Sequence, residues 1–136
     1  MPFTCPKCER VLKNINAWHY CSNQNIDNLF LGKPQILSYL LDKLLAHVIE
    51  WDNVHISATK NCIVFVASQT FLVVKPMKTA LNIKFYLATP HHVAPIYKTE
   101  LYGKHYEHHI RVMDLEDVNA QLIKFIQTSY KLLLAT

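Results

Sequence analysis

Four potential metal ligands lie close together near the start of the chain. Cys5 and Cys8 form a C-x-x-C pair, and His19 and Cys21 follow as an H-x-C pair. Three thiols and one imidazole make a Cys₃His set, which is typical of tetrahedral Zn²⁺ sites. Because four protein ligands fill every position, we predict a structural zinc ion with no open site for water. The alternative is a reduced C-x-x-C pair with an incidental third cysteine.

A second group of residues with binding potential lies between Lys60 and Arg111. This span holds six lysines and one arginine against two glutamates, together with five histidines and four tyrosines. Positive charge interleaved with aromatic rings is typical of surfaces that bind phosphate groups or single-stranded nucleic acid. The alternative is an ordinary antiparallel sheet whose exposed face carries charge for solubility. The candidate ligand-binding residues are Lys60, Lys75, Lys84, His108, His109 and Arg111.

Catalytic motifs are scarce in this sequence. Two glycines in the whole chain leave no G-x-G-x-x-G, no P-loop and no G-x-S-x-G elbow. Nucleotide phosphate loops and a hydrolase nucleophile are therefore not predicted, and we assign no catalytic residue. An enzyme that uses His108 as a general base stays a weaker hypothesis, because it requires a deep pocket and a shifted pKa. His108 falls on the apolar face of its predicted strand, which favours a hydrogen-bonded core histidine.

Composition favours one soluble domain with a small appendage. The chain has 136 residues, of which 51% are hydrophobic, and a net charge of +4. Cys62 stands alone in an apolar strand, and such a cysteine beside a thiol zinc site favours a reducing compartment over a disulfide framework. The first residues resemble no signal peptide, and the longest apolar runs are too short to span a membrane. We expect a cytoplasmic protein.

The spacing of apolar residues predicts two helices around a set of strands. Leucines and Val48 recur every three or four residues from Pro34 to about Trp51, which predicts the first helix. Asp114 is a suitable N-cap for the second, which would end at about Leu133. Between them we predict five strands and a loop over residues 88–104. The strands are Val54–Thr59, Cys62–Ala67, Phe71–Lys75, Leu81–Leu87 and His105–Met113.

This order of elements predicts the fold class. Runs of strands bounded by helices are typical of α+β proteins, so we expect a two-layer sandwich with a mainly antiparallel five-stranded sheet. The helices would cover one face of the sheet. We divide the chain into a zinc module at residues 1–22, a polar linker at 23–33 and the α+β domain at 34–136.

The sequence resembles a family of uncharacterised bacterial proteins in which a short zinc module precedes domain of unknown function 5655. Cys5, Cys8, His19 and Cys21 match its CPxC…WHxC pattern, although Glu9 stands where relatives usually have glycine. The body resembles the family domain through the residues Lys60, Phe71, His108, Arg111 and Tyr130. Relatives are fused to nuclease-like modules, which implies a nucleic-acid setting, and some carry a transport label.

These observations favour a non-catalytic binding domain. Its ligand would be nucleic acid or another phosphorylated molecule, held by the basic residues with tyrosines for stacking. The competing hypothesis is a protein-interaction module in which the zinc segment and linker dock a partner protein. No membrane association is expected, and the oligomeric state stays open.

Overall fold

The computed structural model describes residues 3–4, 11–12 and 26–134. Two short strands, β1 (Phe3–Thr4) and β2 (Val11–Leu12), pair in antiparallel orientation. The predicted zinc ligands Cys5, Cys8, His19 and Cys21 lie outside the described residues, and so do residues 23–25 of the predicted linker and residues 135–136. The zinc module therefore stays a prediction.

A six-stranded antiparallel sheet forms the body of the protein. Its spatial order is β3-β4-β5-β6-β8-β7, and each neighbouring pair is antiparallel. Hairpins connect consecutive strands from β3 to β6, after which β7 takes the edge and β8 returns between β6 and β7. The strands are β3 (His55–Ala58), β4 (Ile63–Ala67), β5 (Gln69–Pro76), β6 (Leu81–Leu87), β7 (Ile96–Tyr102) and β8 (His105–Val112).

The predicted class, α+β with an antiparallel sheet, is confirmed, but the predicted count of five strands in the body is one too few. The sixth strand is β7, which lies inside the segment 88–104 predicted as a loop. Two prolines precede β7, and only Ile96 of its seven residues is buried, so the strand lacks the alternation of apolar and polar residues that marks the others.

Two helices complete the body, each preceded by a short 3₁₀ helix. The helices are α1 (Gln35–Val48) and α2 (Ala120–Leu134), and the 3₁₀ helices are Ile26–Phe30 and Leu115–Asp117. Asp114 begins the second 3₁₀ turn rather than the helix, and α2 is capped by Asn119, whose Oδ1 accepts a hydrogen bond from the N–H of Leu122 at 3.0 Å. Among residues 26–134, no helix is long and apolar enough to cross a membrane.

The inner face of the sheet packs against α2 and carries the hydrophobic core. Phe85 of β6 stacks on Phe125 of α2 at 5.5 Å between ring centroids, and Phe71 of β5 meets Tyr130 edge-on at 5.3 Å. Leucines of α1 and the residues Ile26 and Phe30 join this same core. Because side chains alternate along each strand, most polar residues of β5 to β8 lie on the opposite face, with His108 an exception. We call that opposite surface the outer face.

Candidate ligand-binding face

The register of β5, β6, β8 and β7 places polar and aromatic side chains of the outer face in rows across the sheet. The first row contains Lys75, Asn82 and Arg111, with Tyr97 beside it, and the second contains Lys84, His109 and Lys98. The third contains Tyr86, Glu107 and Glu100, and the fourth contains His105 and Tyr102. Four cationic side chains and two carboxylates thus share one surface.

Arg111 is the centre of the first row. Its guanidinium carbon lies 5.1 Å from the centroid of the Tyr97 ring, a cation–π arrangement. Its Nε donates a hydrogen bond to Oδ1 of Asn82 at 3.3 Å. Tyr97 also lies 6.1 Å from the ring of His109, between centroids. These contacts orient the guanidinium, whereas Lys75 in the same row is exposed to solvent.

The carboxylate of Glu107 is the centre of the third row. Glu107 is only 8% exposed, although it lies on the face away from the helices. The Nε2–H of His109 donates a hydrogen bond to its Oε1 at 2.8 Å, and the Nζ of Lys84 lies 3.7 Å from Oε2. In the neighbouring strand, the Nζ of Lys98 lies 3.3 Å from Oε1 of Glu100. Each carboxylate of this row therefore has a cationic neighbour.

Tyr86 lies beside Glu107 on the outer face, as its register partner on β6. Burial raises the pKa of its phenol to about 12, and the negative charge of Glu107 and the neighbouring Tyr102 contribute in the same direction. The Tyr86 and Tyr102 rings lie 5.6 Å apart between centroids. At neutral pH the Tyr86 hydroxyl is therefore protonated.

Three of these residues have the arrangement of a possible metal-binding triad. One carboxylate oxygen from each of Glu100 and Glu107 and one ring nitrogen of His109 all lie within 4.8 Å of one another. This is the only such grouping of three or more histidine, cysteine or acidic ligands within residues 26–134. The donors are imidazole and carboxylate, unlike the thiol-rich set predicted near the start of the chain.

His108 lies on the inner face and is completely buried. Its Nε2 accepts a hydrogen bond from the N–H of His91 at 2.9 Å, and its Nδ1–H donates to the carbonyl oxygen of Tyr106 at 2.9 Å. Burial lowers the pKa of His108, and the nearby His91, His92 and His109 add to this effect, while the bond to Tyr106 opposes it. With both ring nitrogens bonded to the backbone, His108 is a neutral core residue and not an available general base.

The predicted ligand-binding residues divide into three groups. Lys75, Lys84, His109 and Arg111 are brought together on the outer face. Lys60 lies in the turn between β3 and β4, at the far end of the sheet, and His108 lies on the inner face. Sequence reasoning missed Glu107, which the alternation His105-x-Glu107-x-His109 could have revealed. It also missed Glu100, because its strand is predicted as a loop, and it includes Tyr97 only as one of four tyrosines available for stacking.

The fold is that of an α+β domain whose sheet carries polar and aromatic side chains on the face opposite α2. The family model described as "Domain of unknown function (DUF5655)" matches residues 26–133. The chain therefore belongs to this family. Comparisons with curated proteins and with solved structures found no match.

Proposed function

We propose that this protein is a non-catalytic binding domain for a phosphorylated ligand, most specifically single-stranded nucleic acid, which it holds on the outer face. The observation that carries the proposal is the first row, in which Arg111 lies over Tyr97 and shares the row with Lys75 and Asn82. This row contains no carboxylate.

The chemistry of Arg111 supports a phosphate contact. Among residues 26–134, its described hydrogen bond uses Nε alone, so the two terminal nitrogens are available to a ligand. A guanidinium presents these donors in a plane that matches two phosphate oxygens. Because Asn82 and Tyr97 already orient the group, little side-chain entropy is lost when the phosphate binds.

The tyrosines support a ligand with exposed bases. Tyr97 and Tyr102 are 50% and 63% exposed on β7, at the edge of the outer face. Bases can stack on such rings when they are unpaired, as they are in a single strand. The carboxylates Glu100 and Glu107 would repel a polyanion. The phosphate backbone of the nucleic acid should therefore follow the row of Lys75 and Arg111 and avoid the third row.

For the N-terminal segment we propose a structural zinc site formed by Cys5, Cys8, His19 and Cys21. Its support is the ligand chemistry and the spacing in the sequence. This ion would fold its own module and would take no part in binding through the outer face.

The test is a titration of the full chain against a fluorescently labelled single-stranded oligonucleotide, followed by anisotropy. We expect Arg111→Gln and Tyr97→Ala each to weaken binding about tenfold, in line with the ~1–3 kcal/mol of a stacked base or a good bidentate contact. Lys131→Gln is the matched control, because Lys131 is exposed on α2 and not on the sheet. The apparent affinity should fall steeply as salt is added.

Absence of salt-dependent binding, or equal effects of Arg111→Gln and Lys131→Gln, would reject the nucleic-acid proposal.

The second candidate is then a protein-interaction domain. The observation that favours it is β7, an edge strand on which Tyr97, Leu101 and Tyr102 are exposed. An edge strand presents unpaired backbone groups to which a partner strand can add.

A further inference from the structure

We propose that Glu100, Glu107 and His109 form a binding site for a divalent transition-metal ion on the outer face. The site is distinct from the cysteine-rich set of the N-terminal segment and does not rest on the nucleic-acid proposal. Imidazole and carboxylate together are suitable ligands for ions such as Mn²⁺ and Zn²⁺. Three protein ligands would leave at least one coordination position open.

The sheet register supplies the geometry. Glu107 and His109 are alternate residues of β8 and therefore point to the same side, and Glu100 is the register partner of Glu107 on β7. Their ligand atoms lie within 4.8 Å of one another. At metal–ligand distances of about 2.0–2.2 Å, two ligands of one ion can be at most ~4.4 Å apart. Since the ligand atoms are at most 4.8 Å apart, a shift of well under 1 Å brings any pair within that limit, and a shift of at most about 1.2–1.5 Å gives tetrahedral spacing.

Burial of Glu107 is the electrostatic argument for a cation. A buried carboxylate is costly unless an opposite charge or several hydrogen bonds stabilise it. Glu107 is 8% exposed. Among the described residues, its charged neighbours are His109, which donates a hydrogen bond, and Lys84, whose Nζ is 3.7 Å away and beyond direct hydrogen-bonding distance. A divalent ion would neutralise Glu107 and Glu100 together. His109 would then bind the metal through Nε2 and carry its proton on Nδ1.

A second histidine on the same strand face gives independent support. His105 precedes Glu107 by two residues, so β8 carries histidine, glutamate and histidine at alternate positions on the outer face. The Nδ1 atom of His105 is buried and has no hydrogen-bond partner among the described residues. Such an orphaned nitrogen requires a polar partner. His105 is not one of the three grouped ligands, so it would contact the ion only through a bound water.

The ammonium groups of Lys84 and Lys98 would compete with a metal ion for the two carboxylates. Substitutions can therefore either raise or lower the affinity for the metal. Without metal their ammonium groups act as the counterions of Glu107 and Glu100. Their side chains are 33% and 50% exposed, so both can turn into solvent when the ion binds. Removal of the Lys84 charge should therefore strengthen metal binding, whereas removal of a ligand should weaken it.

The experiment titrates the full chain, supplied with no more than one equivalent of Zn²⁺ for the predicted Cys₃His set, with Mn²⁺ and follows the loss of the free-ion signal by electron paramagnetic resonance. Mn²⁺ is the probe because it prefers oxygen and imidazole ligands to thiolates. We expect one Mn²⁺ per chain, a loss of affinity of at least about tenfold in Glu107→Gln and Glu100→Gln, and tighter binding in Lys84→Gln. Glu116→Gln is the control, because Glu116 is exposed in the 3₁₀ turn before α2.

Glu100→Gln keeps the test decisive if Glu107→Gln unfolds, because Glu100 is exposed and its replacement leaves the core intact. Paramagnetic broadening of amide signals in β7 and β8 should locate the ion. The proposal is overturned if wild-type protein binds no Mn²⁺, if Glu100→Gln binds it as tightly as Glu116→Gln does, or if the broadening lies elsewhere. Nucleic-acid binding that depends on Arg111 would survive each of these outcomes.

Discussion

At the scale of single residues, Ser129 joins two strands to α2. It is completely buried, and its Oγ accepts a hydrogen bond from the N–H of Tyr86 at 2.9 Å. The hydroxyl also donates to the carbonyl oxygen of Phe71 at 2.7 Å. One side chain therefore satisfies two backbone groups that would otherwise be buried without partners. This explains why a serine interrupts the apolar stripe of the helix.

Replacement of Ser129 by alanine should lower the free energy of unfolding by about 1–3 kcal/mol, the cost of leaving buried polar groups unsatisfied. Thr128→Ala is the matched control, because the Thr128 hydroxyl is exposed and bonds to Lys124 within the same helix. We expect that control to stay within about 0.5 kcal/mol of wild type. Urea unfolding measures both, and equal midpoints for the two variants would contradict the proposed role of Ser129.

His108 makes the stability of the protein depend on pH. Its pKa is lowered in the folded state from the ordinary value of 6.5, chiefly by burial. The unfolded chain therefore binds a proton at a pH where the folded chain does not. The stabilisation is fully present above about pH 6.5 and is lost as the pH falls from there toward the lower folded-state pKa.

We therefore expect the urea midpoint of wild-type protein to fall as the pH is lowered from about 7.5 to about 5.5. His108→Gln should show a shallower dependence whatever its absolute stability, because it removes the buried titrating group. His47→Gln is the control and should keep the wild-type slope, since His47 is exposed on α1 and is not among the groups that shift the pKa of His108. A slope in His108→Gln as steep as in wild type would assign the pH dependence to other groups.

At the scale of elements, β7 is fixed by its hairpin with β8. Tyr102 pairs with His105, so Gly103 and Lys104 form a two-residue turn. Gly103 has a φ of +60°, a conformation that residues with a Cβ rarely adopt. A two-residue hairpin turn of this kind favours glycine at its first position.

Gly103→Ala should lower the free energy of unfolding by about 1–2 kcal/mol because of the positive φ. The space around a Cβ at this position is open, so the effect would come from backbone strain and not from a clash. Lys104→Ala in the same turn is the control and should be close to neutral. If both variants unfold at the wild-type midpoint, the turn does not have the described conformation.

The elements also show where sequence reasoning succeeds. β6 was predicted with its observed bounds, Leu81–Leu87, because one of its faces is buried and the other is polar, which imposes a period of two. β7 is an edge strand with little burial, so the only restraint on its composition is the backbone pairing with β8. That pairing leaves no hydrophobic pattern to detect, and proline at 90 and 95 further obscured the strand.

At the scale of the whole molecule, the candidate site could be predicted only in part. Lys84, His109 and Arg111 share one face because side chains alternate along β6 and β8, and the sequence pattern predicts both of those strands. The partners that give this face its chemistry, Glu100 and Tyr97, come from β7. Their positions depend on pairing between distant segments, which no local pattern specifies.

The charge distribution of the outer face also belongs to the scale of the whole sheet. Lys75 and Arg111 lie at one end of the face and the carboxylates Glu100 and Glu107 lie further along it. The first row thus favours an anion and the third a cation, with the row of Lys84, His109 and Lys98 between them. The proposed phosphate contacts Lys75 and Arg111 and the proposed metal ligands Glu100, Glu107 and His109 are therefore different side chains.

The last prediction concerns the two-part organisation of the chain. The core of the described residues 26–134 is continuous, and the four predicted zinc ligands lie outside those residues. Zinc sites of the Cys₃His kind supply the folding free energy of their own module. Addition of a strong chelator to the full chain should therefore release one zinc ion per N-terminal site while most of the helical circular dichroism persists, because α1 and α2 are held by the body.

The matched variant is Cys21→Ser, which should lose the zinc ion and keep the same cooperative urea transition of the body. A drop of the helical signal to the unfolded level on chelation would mean that the N-terminal segment is part of the body's core. In that case the division of the chain into a separate zinc module and an α+β domain would be wrong. Retention of zinc by Cys21→Ser would instead remove Cys21 from the ligand set, since a tetrahedral site needs all four of its protein ligands.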